Sequence, residues 1–243
     1  MDGGNIEIAP MSDLEFNLKI DDVRQDKKDI TSQFALSERL KADKVDIALS
    51  QAYKFLGQYS ICKPQDLSAQ LIDGNIGEGT IKGTIIELQL PDREQIISEL
   101  KGFMEPLLNG ETEEIKDNIV NQLAITITAS TALHEGVHGL LDSRPGSKFS
   151  LDFEEVTGFT NERGVESTLL DEGIAYAIQS IYAPNFESIG SLAPFVKESD
   201  NAVVKQRKIL GEKLSPVVKE YIDNEKSIDN NFFEIAKESM IHL

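Results

Sequence analysis

Residues 131–142 read TALHEGVHGLLD and contain two of the chain's three histidines. His134 and His138 stand four positions apart, with Glu135 next to the first. On an α-helix, positions i and i+4 are neighbours on one face, so the two imidazoles project side by side, one turn apart. Imidazoles at that separation can share one tetrahedral ion such as Zn2+. Glu135 points about 100° around the helix, which keeps it out of direct coordination but within reach of a water at an open metal position. Zinc lowers the pKa of such a water towards ~7. A neighbouring carboxylate can then take its proton as the water attacks a carbonyl, and deliver that proton to a leaving amine. H-E-x-x-H is the pattern in which this division of labour is found. With three histidines in 243 residues, a chance match is expected roughly once in a few hundred such chains. The alternative is a pair of core histidines with a structural glutamate between them.

A catalytic zinc takes three protein ligands and one water, so one ligand must come from elsewhere. The H-E-x-x-H-x-x-G-x-x-H arrangement is excluded, because GLLDSR follows His138. The remaining histidine, His242, is the penultimate residue, where fraying is expected. A carboxylate is the better source. The segment GVESTLLDEGIAYAIQ (164–179) offers Glu166, Asp171 and Glu172. Val165, Leu169, Glu172 and Tyr176 share one stripe at helical spacing. A carboxylate on an apolar stripe requires a cation or strong donors, and a zinc ion is one such partner. Glu166 and Asp171 lie off the stripe. Glu166 stands as the alternative ligand, and a partly exposed glutamate without a metal is the alternative reading of Glu172.

The elements that must position these residues follow from periodicity. Residues 111–141 carry apolar side chains at helical spacing from Ile119 to Leu141 and predict one long helix, stopped by Arg144-Pro145-Gly146. Asn161 is the expected N-cap of a second helix over about 162–182, with residues 143–162 as the connecting loop, a conceivable lid. Residues 14–20 and 80–91 alternate and predict strands; 32–58 predicts one or two helices ending near Gly57; 92–108 predicts another. Helices over 196–225 and 231–241 complete the chain, the first kinked or broken at Pro216. Residues 1–12 are expected to be flexible, and the rest to form a single domain.

Composition narrows the function classes. Hydrophobic residues make up 40% and charged residues 27%, which fits a soluble globular chain. No apolar run approaches the ~20 residues of a membrane helix. No signal-peptide pattern is seen, so a cytoplasmic protein is expected. The net charge of −18 disfavours nucleic acid and anionic membranes as partners and suits basic peptides. Cys62 is the only cysteine. It cannot form an intramolecular disulfide or a cysteine zinc site, and is expected to be a small buried apolar residue.

HEGVH followed by LLDEGIAYAI resembles the gluzincin metallopeptidases, the thermolysin- and aminopeptidase-like group with a glutamate ligand on a second helix. The step Glu172-Gly173-Ile174-Ala175 is similar to the third-ligand helix of the peptidase MA-like members. The resemblance covers about 120–182, a quarter of the chain. It implies His134, His138 and Glu172 as ligands of one zinc ion, Glu135 as base, and hydrolysis of peptide or protein substrates. It also implies an edge strand that pairs with bound peptide, a place the strand at 80–91 would suit. Two features depart from the pattern. The 33 residues between His138 and Glu172 (139–171) exceed the thermolysin-like spacing. The Asp that follows the glutamate by four residues in those enzymes, bonding a zinc histidine, is here Tyr176. Tyr176 either bonds a ligand, stabilises an oxyanion or simply packs; Tyr182, Tyr221 and Arg163 are further oxyanion candidates. The expected fold is therefore an α+β, predominantly helical zincin-like domain with a small sheet. The alternative function is a zincin-like metal-binding regulatory or interaction protein without proteolytic activity.

Overall fold

The computed structural model describes residues 43–72, 77–89, 109–110, 112–159, 165–183 and 201–243. The expected strand at 14–20, the helix at 92–108, the Asn161 cap and Arg163 lie outside them. A first helix, α1, covers 43–56. Its Val45, Leu49, Ala52 and Leu56 recur at helical spacing and are buried. It ends in a 3-10 turn at Gly57–Tyr59, where Gly57 takes φ +56°.

Three strands follow: β1 (Ser68–Ile72), β2 (Gly79–Lys82) and β3 (Ile85–Gln89). Their order is β1-β3-β2, with β1 parallel and β2 antiparallel to β3. The single strand expected at 80–91 is thus a hairpin. Lys82 pairs with Ile85 across Gly83-Thr84, and Gly83 has φ +65°. A positive φ at the first central residue is what a two-residue type II′ turn requires. The alternation read from the sequence belongs to β3, which buries Ile86 and Leu88. Within this sheet β2 is an edge.

The long helix is present as α2 (Glu113–Leu140), 28 residues or about 42 Å. Segment 59–62 closes its C-terminus. Ile61 N–H donates to Leu140 O at 2.9 Å and Cys62 Sγ donates to Gly139 O at 3.3 Å, satisfying carbonyls that a helix end leaves open. Cys62 is therefore half-buried and bonded rather than a plain apolar filler.

The expected loop over 143–162 contains a helix instead, α3 (Lys148–Thr157). Ser147 caps its first turn by accepting from Ser150 N–H, and Gly158 ends it at φ +69°. Phe149 and Phe153 anchor it in the core, so it is no lid. Then come α4 (Val165–Tyr182), α5 (Ala202–Asp223) and α6 (Asn230–Ile241). Pro216 sits inside α5 without ending it.

The described part is thus mostly helical with one small three-stranded sheet. Helix α4 runs antiparallel to α2: Gln179 Nε2 donates to Ser130 Oγ at 2.9 Å, while Asp171 meets His138. Helices α4 and α5 run parallel, from Glu172 beside Arg207 to Ser180 beside Ser215. No helix among the described residues is long and apolar enough to cross a membrane.

Candidate metal centre

The last two turns of α2 carry His134 and His138, and two glycines let neighbours close around them. A Cβ on Gly136 would stand 2.6 Å from Leu49 of α1, and one on Gly139 would stand 2.3 Å from Ile81 of β2. Both contacts are far inside ordinary van der Waals distance, so a larger side chain would displace Leu49 or Ile81. Gly79, at the start of β2, makes the third close approach. Its Cβ would lie 2.9 Å from Cγ of Glu135. The glutamate therefore lies between the motif helix and the edge strand.

From the facing helix, α4 brings Glu172. Nε2 of His134 and Nε2 of His138 are 3.1 Å apart, and Oε2 of Glu172 lies 3.6 and 3.8 Å from them. Donors at the corners of a tetrahedron around a Zn2+ ion, with bonds of about 2.0–2.1 Å, stand about 3.3 Å apart. The three atoms therefore match the edges of such a site to within a few tenths of an ångström. Among the described residues this group can hold a metal ion.

His138 is held from behind. Its Nδ1–H donates to Oδ1 of Asp171 at 2.8 Å, and Ser143 Oγ–H donates to Oδ2 at 2.7 Å. A carboxylate on Nδ1 fixes the tautomer that turns the Nε2 lone pair towards an ion and raises its basicity. His134 has no such support, and its Nδ1 is buried with no hydrogen-bond partner among the described residues. Its ring instead lies tilted against Tyr176, with 4.5 Å between centroids.

Burial works to lower the pKa of His138, but Asp171, Glu172 and Glu135 together hold it up at about 9. Burial pushes Glu172 upward, yet His134, His138 and Arg207 keep its carboxyl below the usual range. Glu172 is therefore an anion at neutral pH. Burial, then the charge on Glu172, raises the Tyr176 phenol, which stays protonated and able to donate.

Several sequence expectations need correction here. The stripe Val165, Leu169, Glu172, Tyr176 is the margin of α4 and not its buried face, since Val165 is 61% exposed. Leu170, Ile174, Ala177 and Ile178 are among its buried residues. Asp171, set aside as off the stripe, is only 7% exposed and bonds His138. The resemblance gives a carboxylate bond to a ligand histidine to the position of Tyr176; here such a bond to His138 comes from the residue before the glutamate. As the sequence reading preferred, the converging group contains Glu172 and neither Glu166 nor His242. Of the oxyanion candidates among the described residues, which leave out Arg163, Tyr176 alone touches the group. Tyr182 lies ten residues along α4 from Glu172, about 15 Å away. Tyr221 donates to Asp229 at 2.8 Å in the aromatic core.

Arg207 was not singled out from the sequence. Its Nη1 lies 2.7 Å from Oε1 of Glu172. Nothing local marks it, because its partner is 35 residues earlier on another helix. Compared with models of known protein families, with curated proteins and with solved structures, the chain matches none.

Proposed function

We propose that the chain is a zincin-like, zinc-dependent peptidase with one metal ion held by His134, His138 and Glu172. The observation that carries this reading is the convergence of Nε2, Nε2 and Oε2 at 3.1, 3.6 and 3.8 Å, behind an H-E-x-x-H sequence. Zinc, when bound, supplies Lewis acidity and a water of lowered pKa. The chain's own residues do the rest. Asp171 keeps the Nδ1 proton on His138, so its Nε2 is the ligand. Glu135, placed beside the ligands but not among them, takes a proton from the water that adds to a peptide carbonyl. It returns that proton to the departing amine. The neutral phenol of Tyr176, whose ring lies against His134, is the candidate donor for the charge that builds on the carbonyl oxygen.

The test is Glu135→Gln on the full chain, assayed against a broad peptide library with metal content measured in parallel. Zinc should stay at one ion per chain while cleavage falls about 10²–10⁴-fold, the range general-base catalysis supplies. If the unaltered chain cleaves nothing beyond what the Gln variant cleaves, the protein is a metal-binding module and not a peptidase. If washed protein holds no stoichiometric metal, the metal-centre reading fails as well.

A further inference from the structure

Resting on the metal-centre reading above, the geometry points to Arg207 as the positioning residue of the centre: it occupies Oε1 of Glu172, so that only Oε2 ligates and a bound divalent ion keeps an open coordination position. The two oxygens of Glu172 have different surroundings. Oε1 is 2.7 Å from the Arg207 guanidinium, whereas Oε2 faces both imidazoles at 3.6 and 3.8 Å. A carboxylate with both oxygens free can close on an ion through both and fill the position that a water or substrate needs. A guanidinium on one oxygen prevents this. It is permanently charged and its donors are fixed in a plane, so it defines which oxygen it keeps. By sharing the carboxylate's charge it also leaves more of the ion's charge for the fourth position.

The packing of α4 on α5 is built to bring Arg207 there. A Cβ on Gly173, next to Glu172, would stand 2.7 Å from Leu210. A Cβ on Gly211, one turn after Arg207, would stand 2.4 Å from Cβ of Tyr176 and 3.1 Å from its backbone carbon. Two glycines, one on each helix, thus allow the close approach immediately beside the ion pair. The side chain of Glu172 is 16% exposed and that of Arg207 31%. The pair sits where solvent screens it only partly, so it is unlike a loose surface contact.

The test uses the full chain loaded with Co2+, whose visible absorption is severalfold stronger in four-coordinate than in five- or six-coordinate sites. Arg207→Gln should still bind one ion per chain, but with absorption reduced severalfold as the carboxylate closes on the ion. Arg207→Lys, which keeps a cation at the same oxygen, should return most of the intensity. A purely structural ion pair would leave the absorption unchanged. Superimposable spectra for the unaltered chain and the Gln variant therefore overturn the proposal while leaving the metal centre intact. X-ray absorption of the unaltered zinc-loaded chain supplies a measurement that needs no variant. Four nitrogen or oxygen neighbours at about 2.0–2.1 Å are expected, and a fifth protein oxygen overturns the proposal. An unaltered chain that takes up no Co2+ overturns both this inference and the reading beneath it.

Discussion

The aromatic core and the metal group bury polar atoms in opposite ways. Where α1, α3 and α6 meet, Phe55, Tyr59, Phe149, Phe153, Phe232 and Phe233 pack edge to face, with centroid distances such as 5.3 Å for Phe55–Phe232 and 5.5 Å for Phe149–Phe233. The tyrosines at its rim are satisfied: Tyr59 donates to Asp152 at 2.8 Å and Tyr221 donates to Asp229 at 2.8 Å. Where α2, α4 and α5 meet, two imidazole nitrogens face each other at 3.1 Å and a third ring nitrogen has no partner. The first region is finished by the chain itself, and its purpose is stability. The second gathers donor atoms that could hold a metal ion, and Asp171 and Arg207 meet only part of their polar demand.

That contrast can be broken from either side. The largest effect should come from the aromatic side. Phe232→Ala removes a fully buried ring and should cost about 3–5 kcal/mol in denaturant unfolding. Metal stoichiometry below the unfolding midpoint should not change. A cost under ~1 kcal/mol would mean that the region is not close-packed.

Asp171→Asn acts on the other side. It should weaken zinc binding about 10–100-fold in competition with a chromophoric chelator, while the unfolding midpoint of the chelated protein moves little. Unchanged affinity would detach Asp171 from the centre.

The smallest effect sharpens the comparison with a third site. Asp46 on α1 also has a buried oxygen without a partner among the described residues, but no converging ligands. Burial first, then Asp43, raises its pKa from 3.8 to about 8. Its folded pKa lies above its unfolded one, so between these values the folded chain holds a proton that the unfolded chain has released. Stability should therefore fall as pH rises from about 4 to about 8, then level off. Asp46→Asn should flatten that slope in unfolding midpoints measured at about pH 5, about 6.5 and about 8. An unchanged slope would remove Asp46 as its cause.

How much of this was legible in the sequence depends on how local each feature is. Helix α2 announced itself, because its apolar residues repeat over many turns. Helix α3 did not, although Ser147, Phe149, Phe153 and Gly158 carry a cap, an apolar spacing and a stop; Arg144-Pro145-Gly146 just before it suggested a longer loop. The hairpin was hidden because the alternation of Ile86, Leu88 and Leu90 was extended back over Gly83 and Thr84, where the register and the positive φ at Gly83 place the turn. Glu172 was reached by a stripe argument whose stripe proved to be the helix margin. That argument passed over Asp171, which faces His138 from the adjoining side of the same helix. Arg207 illustrates the general limit: a pairing between distant helices leaves no mark on either local sequence.

The glycines of α2 carry a further consequence. Each glycine inside a helix costs about 1 kcal/mol relative to alanine, and Gly136 and Gly139 both lie within the stretch that holds the histidines. A short helix of that composition is marginal in water by itself. A synthetic peptide of residues 131–142 would thus be mostly coil, with its imidazoles at no fixed separation. Leu49 and Ile81 occupy the space that the glycines leave, and their closure holds the turn in register. The spacing of the five-residue motif becomes a distance only after α1 and the sheet have docked, so loading with metal would report on the assembly of the whole described fold.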